Sequence, residues 1–254
     1  IADVTELWCQ GYSEPGAGSD LASVATTAQL EQGEWHITGQ KVWTSLAHLS
    51  QWCFVLARTE VGSRRHHGLS YLLVPMDQPG VEVRPIRQLT GTSEFNEVFF
   101  DDARTQADLV VGAPGDGWRV AMATLGFERG VATLGQQVGF RRELDALITL
   151  AKDTGAVDDP ALREKLIRAH VDLEVMRAHA LRTLHSVTSG APGTESSVAK
   201  LLWARWHRAL GELAMQVRGA SSMVEESAAV TGGGLDEWQR LFLFTRADTI
   251  YGGS

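Results

Sequence analysis

Gly112-Ala113-Pro114-Gly115-Asp116-Gly117 divides this sequence into two parts with different hydrophobic periods. A run so rich in glycine and proline continues neither a strand nor a helix, so it reads as a joint. On its C-terminal side Val120, Thr124, Phe127, Val131, Leu134 and Val138 recur at steps of four and three, which predicts one face of a long helix with Asp116 as N-cap. Asp159 followed by Pro160 opens a second helix with apolar positions at Leu162, Leu166, Ala169, Leu173, Met176, Ala180 and Leu184, and Gly190-Ala191-Pro192-Gly193 breaks it. A third runs from about 195 to 217 with Val198, Leu201, Leu202, Trp206, Leu210 and Leu213, and a shorter one spans 237–250. Helices of this length joined by short breaks predict an antiparallel bundle.

On the N-terminal side the period is that of strands. Residues 23–30, the turn Glu31-Gln32-Gly33-Glu34 and Trp35-His36-Ile37-Thr38 predict a hairpin. A strand at 69–74 runs through Met76-Asp77-Gln78-Pro79-Gly80 into Val81-Glu82-Val83, and Glu97-Val98-Phe99-Phe100 is a further strand ended by Asp101-Asp102. At least six short strands at this spacing predict a β-sandwich or barrel. The fold class is therefore α+β: a β-domain over 1–113 followed by a helical bundle over 114–254.

Composition narrows the function. With 23 Lys and Arg against 31 Asp and Glu the formal charge is −8, which argues against a surface built to neutralise phosphate backbones, so no nucleic-acid partner is expected. Hydrophobic content of 44% with 21% charged residues is that of a folding globule. Cys9 and Cys53 form no Cys-x-x-Cys pair, and the eight histidines fall into no ligand motif, so neither a disulfide framework nor a metal site is expected. No apolar run has the length of a membrane span, and a reducing, cytoplasmic setting is the expectation. A start at Ile1 and an end in Tyr251-Gly252-Gly253-Ser254 suggest a fragment.

Three places can carry chemistry. Tyr12-Ser13-Glu14-Pro15-Gly16-Ala17-Gly18-Ser19-Asp20 leaves bare backbone flanked by hydroxyls and acids, either a surface turn or a nest that a ligand approaches closely. It is neither a Walker loop nor the dinucleotide fingerprint, since no Gly-Lys-Ser/Thr follows and Leu21 stands where a third glycine belongs. In Gly39-Gln40-Lys41-Val42-Trp43-Thr44-Ser45 the tryptophan either fills a core or stacks on a flat ring. Glu128 has no basic residue three or four positions away, so it is either a solvated carboxylate beside Arg129 or, if buried, a base with a raised pKa. His66-His67 after Arg64-Arg65 reads as a solvated loop.

Taken in order, the 12–20 and 39–45 stretches, Asp116-Gly117-Trp118, Phe127-Glu128-Arg129 and Ile250-Tyr251-Gly252-Gly253-Ser254 resemble the acyl-CoA dehydrogenase family over nearly the whole chain. The resemblance implies a middle β-domain and most of a C-terminal bundle, with the family's N-terminal helical domain absent, and FAD held between domains. It implies that Gln10, Tyr12, Ser13, Trp43 and Ser45 surround the flavin, that Gly18 and Ser19 lie where flavin meets the thioester arm, and that Ser254 also contacts FAD. Trp118, Arg129, Tyr251 and Ser19 are then substrate-binding, while Gln216 and Gly219 reach the FAD of a dimer partner.

The family's usual base position in the terminal motif is Gly252 here, so the resemblance shifts that role to Glu128, as in isovaleryl- and long-chain-type members. The reaction implied is flavin-dependent dehydrogenation of an acyl-CoA to a trans-2-enoyl-CoA in lipid metabolism: Glu128 takes the α-proton and FAD N5 accepts hydride. An electron-transfer flavoprotein is the implied acceptor, and the protein is implied to be a homo- or hetero-oligomer. Departures at 151–159 and at Val217-Arg218-Gly219-Ala220 point to altered partner-side FAD contacts. The alternatives are a flavin oxidase or monooxygenase on the same fold, and a non-catalytic structural subunit of a heteromeric dehydrogenase.

Overall fold

The computed structural model describes the backbone of residues 3, 5–188, 195–224 and 234–252, with the side chains of 127–134, 186–188 and 195–197 outside that description. Two compact units divide at Leu125 and Gly126.

The first unit holds seven strands: β1 (Trp8–Gly11), β2 (Thr27–Glu31), β3 (Glu34–Ser45), β4 (Trp52–Arg58), β5 (Leu69–Pro75), β6 (Val81–Ile86) and β7 (Phe95–Gln106). β2 and β3 form the expected hairpin, with Glu31 opposite Glu34. Gln32 and Gly33 between them both take positive φ, 49° and 91°, as a two-residue turn matching the strand twist requires. β4 is central, with β5 antiparallel along one edge and β1 parallel along part of the other, where β2 joins it at Arg58. β3 continues to β7 and then β6. The strands at 69–74 and 81–83 are present but do not pair with each other: β5 lies on β4 and β6 on β7.

Leu72 and Val74 of β5 share one core with Val98, Phe100 and Ala103 of β7, together with Trp35, Ile37, Val55 and the buried thiols Cys9 and Cys53. Strands far apart in the sheet order thus face a common interior, so the sheet curls into a half-barrel, and each large side chain enclosed stabilises it by about 1.5–3 kcal/mol. The Thr105 hydroxyl fastens the curl by donating to the Leu73 carbonyl at 2.6 Å.

The second unit holds α1 (Gly117–Asp153), which begins in the first unit, with α2 (Pro160–Thr188), α3 (Glu195–Arg218) and α4 (Glu237–Asp248). The Asp159 carboxylate accepts from Ala161 N at 2.8 Å, the N-cap the sequence predicts for α2. Asp116 receives Val120 N on its carbonyl, but its carboxylate turns back to Ala113 N and Arg119. Asp236 caps α4 in a reciprocal pair with Gln239, a device the sequence reading passed over.

The core collects Phe140, Leu144, Leu147 and Ala151 from α1, Leu166, Leu173 and Met176 from α2, Trp206, Leu210 and Leu213 from α3, and Trp238. One expectation is corrected by this packing. Val138 does not close the buried stripe of α1: it is 55% exposed, because the inward face runs through Phe140 and Leu144. Trp206 and Leu210 of the third helix are buried within their own unit, where the Trp206 indole donates to the Ala169 carbonyl at 2.8 Å, and Trp203 is half-buried. Gly211 is needed for this packing, since a Cβ there would lie 2.7 Å from the Thr245 hydroxyl. Among the described residues no helix is long and apolar enough to cross a membrane.

Candidate functional site

β1 delivers the chain into the 12–20 loop, and a buried ion pair holds the loop there. Lys41 lies at an inward position of β3 and is fully buried. Its Nζ donates to Glu14 Oε1 at 2.7 Å, to the Leu56 carbonyl at 2.8 Å and to the Tyr12 carbonyl at 3.1 Å. Glu14 accepts in addition from the amides of Ala25 at 2.6 Å and Thr26 at 3.0 Å. Burial pushes the Glu14 carboxyl up, but the charge and hydrogen bond of Lys41 and the two amides outweigh it and hold the group below its usual range. Burial pulls Lys41 down and Glu14 opposes that pull. Three acceptors around Nζ match the three N–H groups of an ammonium, so the site suits the charged form.

Glu14 and Ala17 exchange backbone hydrogen bonds at 2.9 and 3.0 Å, closing a tight turn over Pro15 and Gly16. A Cβ built on Gly16 or Gly18 meets nothing within 4 Å. Among the described residues nothing presses on either glycine, and their bare backbone borders open space.

Against this loop lies an irregular stretch of β3. The register with β7 slips between Lys41 and Thr44, and there Trp43 takes a φ of 60°, rare for a bulky residue. Its ring packs edge-on to Phe95 at 6.3 Å yet stays 59% exposed. Val42 N donates to the Ser13 carbonyl at 2.9 Å, binding the two stretches together. Thr44 is buried, with no partner for its hydroxyl among the described residues, Ser45 pairs with Phe95 at the strand end, and Gln10 of β1 pairs with Phe54 of β4.

Tyr12 is buried edge-on to Phe54 and Tyr71 at 5.8 and 6.0 Å. It shares a cluster with Ala17, Leu21 and Trp118. Trp118 reaches that cluster because residue 117 is glycine: a Cβ there would lie 2.5 Å from the Ser70 backbone, so only a bare Cα lets α1 start against β5. The structure thus brings Tyr12, Ser13, Gly18, Ser19, Trp43 and Trp118 onto one unit, with Ser19 and Ser45 exposed and Gln10 at the base of the loop.

Other expected site residues lie in the second unit. Gln216 is exposed and accepts from Lys165 Nζ at 2.7 Å, while Gly219 takes a φ of 58° at the end of α3, a turn the chain itself requires. The Tyr251 hydroxyl donates to Asp248 Oδ1 at 2.8 Å, and burial together with that carboxylate pushes the phenol up. Glu128 and Arg129 lie on α1 by backbone, but their side chains, like Ser254, fall outside the described residues.

A buried network that the sequence reading missed stands beside Tyr251. His207 Nδ1 meets Asp248 Oδ2 at 2.6 Å and Nε2 meets Glu143 Oε2 at 3.0 Å, joining α3, α4 and α1. Lys200 Nζ donates to the Asp248 carbonyl at 2.6 Å and lies 4.1 and 4.2 Å from the Trp203 and Tyr251 rings. Burial would lower the imidazole, but both carboxylates outweigh it and raise it to about 9. Among the described residues no group of His, Cys, Asp and Glu could hold a metal ion.

Family comparisons match both halves. The family description "Acyl-CoA dehydrogenase, middle domain" matches residues 9–103, and "Acyl-CoA dehydrogenase, C-terminal domain" matches 115–254. The chain belongs to the acyl-CoA dehydrogenase family. Among its relatives, acyl-CoA dehydrogenase IpdE1 of Mycobacterium tuberculosis is 70% identical over all 254 residues, which span 64% of that protein. Acyl-CoA dehydrogenase FadE34 of the same organism is 42% identical over 98% of this chain and 33% of its own. Of solved structures, the Tcur3481-Tcur3483 steroid acyl-CoA dehydrogenase superposes with a TM-score of 0.88 at 26% identity, over 98% of this chain and 64% of that one. In family terms the half-barrel is the middle domain, and α1–α4 belong to the C-terminal domain.

Proposed function

We infer that this chain is the middle and C-terminal part of a FAD-dependent dehydrogenase that desaturates the α,β bond of an acyl-CoA thioester to a trans-2-enoyl-CoA. The observation that carries the reading is Trp43: a large flat ring held outward on strained backbone, tied through Val42 to a loop whose glycines border open space. Strain of this kind costs on the order of 1–3 kcal/mol and persists where a function uses it. The residues present fit a flavin: Trp43 offers a stacking face, Ser13 and Ser45 offer hydroxyls, and the amides of Gly16, Gly18 and Ser19 offer donors. Gln10, Tyr12, Gly18 and Ser19 complete that wall, with Gln216, Gly219 and Ser254 assigned to FAD in the assembled oligomer.

FAD, when bound, supplies the acceptor for the β-hydrogen as hydride. The chain's own residues do the rest. Trp118 and Tyr251 flank the acyl-CoA, Arg129 reaches its nucleotide, and Glu128 removes the α-proton. The Lys41–Glu14 pair keeps the loop in place without touching the reacting atoms. A steroid-derived acyl group heads the panel of substrates, given the likeness to a steroid acyl-CoA dehydrogenase, and an electron-transfer flavoprotein is the assigned acceptor.

The test is anaerobic flavin bleaching by the full-length, flavin-loaded protein on mixing with a panel of acyl-CoAs. A substrate that bleaches the wild type should bleach Glu128→Gln about 10²–10⁴-fold more slowly, with acyl-CoA binding retained. Bleaching of the variant at the wild-type rate removes Glu128 from the role of base.

A further inference from the structure

Tyr251 follows α4 on a turn and keeps 42% of its surface exposed, yet its ring is held from several directions. The hydroxyl donates to Asp248 Oδ1 at 2.8 Å. Lys200 Nζ lies 4.2 Å from the ring centroid, and the Trp203 and Phe244 rings lie 6.3 and 6.5 Å away. A tyrosine on a surface turn ordinarily keeps its rotamer freedom, and this one has given it up.

The restraint originates at Asp248, whose side chain is fully buried. One carboxylate oxygen takes the Tyr251 hydroxyl, the other faces His207 Nδ1 at 2.6 Å, and the backbone carbonyl receives Lys200 Nζ at 2.6 Å. On its far side His207 Nε2 faces Glu143 Oε2 at 3.0 Å. An ionised carboxylate only accepts, so an imidazole with carboxylate oxygens at both nitrogens carries a proton on each. That cation keeps Asp248 ionised, and an ionised Asp248 obliges Tyr251 to donate. The phenol proton is therefore committed inward and is not on offer to a ligand. What Tyr251 can present outward is its ring, in an orientation set by charges on α1 and α3.

We propose that Asp248 and His207 are positioning residues for the acyl-CoA, which fix the Tyr251 ring through its hydroxyl in the orientation that flanks the ligand. This rests on the acyl-CoA reading above and goes past it, by assigning the ring rather than the hydroxyl as the part of Tyr251 that meets the ligand. Neither positioning residue touches the reacting atoms, since both act through Tyr251. A ring ordered in advance receives its ligand without the cost of ordering it on binding.

The experiment takes full-length, flavin-loaded protein and an acyl-CoA of the panel above that bleaches the wild type, and follows the anaerobic bleaching rate against acyl-CoA concentration. Tyr251→Phe leaves the ring and removes only its tether, so it should raise the half-saturating concentration about tenfold, and Asp248→Asn should do the same. Combined, the two should raise it no further than either alone, because each breaks the same link. Partial unfolding lowers the amplitude of bleaching and leaves the half-saturating concentration in place, so a merely structural role does not reproduce this result. Where Asp248→Asn does not accumulate folded, Tyr251→Phe decides alone. A half-saturating concentration within twofold of wild type in Tyr251→Phe overturns the proposal, and so do losses that multiply in the double variant. A wild type that no acyl-CoA of the panel bleaches removes the proposed reaction and this assignment with it, whereas bleaching that Tyr251→Phe leaves unaltered removes the assignment alone.

Discussion

Lys41 shows how far one residue can govern a site it does not enter. A lysine at an inward position of an alternating strand buries a charge, which is tolerable only because Glu14 and two carbonyls surround it. Lys41→Met leaves the Glu14 carboxylate buried without its counter-charge. It should destabilise the β unit by about 3–5 kcal/mol in urea unfolding. Glu14→Gln added to that variant should recover part of the loss, since the amide oxygen still receives Ala25 and Thr26. A double variant no more stable than Lys41→Met shows that the pair is not the origin of the cost. The sequence held a signal for this pair, because Trp35, Ile37 and Lys41 share the inward parity of β3, but its partner could be named only once the loop was folded back.

At the scale of elements, His207 is the point where α1, α3 and α4 meet. Its folded pKa of about 9 stands above the ordinary 6.5, so the protonated form is the one that the fold favours. The stability this contributes is fully present below about pH 6.5 and is lost as pH rises toward 9, on the order of 3 kcal/mol in all. Thermal unfolding of the helical unit should therefore soften across that interval, and His207→Gln should flatten the profile. A wild-type profile that stays level from pH 6.5 to 9 contradicts the linkage. Nothing in the sequence announced this network, since its three members lie on different helices with no shared spacing. The helices themselves were legible, because caps such as Asp159-Pro160 and apolar steps of three and four are local properties. Where the stripe ended was not: Val138 closes one series of three-and-four steps while Phe140, Leu144, Leu147 and Ala151 form another on a different face, and only packing decides between them.

The chain spans 64% of the length of the IpdE1 relative, and the residues proposed for FAD are divided between its two units. The 254-residue chain alone should therefore retain FAD substoichiometrically after gel filtration, while the full-length protein emerges yellow. Equal retention by both contradicts the shared site. The half-barrel also contains its own reporter of breathing. Cys9 and Cys53 face each other across β1 and β4, sealed from solvent, and β1 runs straight into the 12–20 loop. A thiol reagent can reach either sulfur only when these strands part, so its rate of reaction measures the free energy of that opening. Flavin seated on the loop should slow labelling of two thiols that it never touches. An unchanged rate on saturation with flavin would mean that the loop and the strand beneath it open independently.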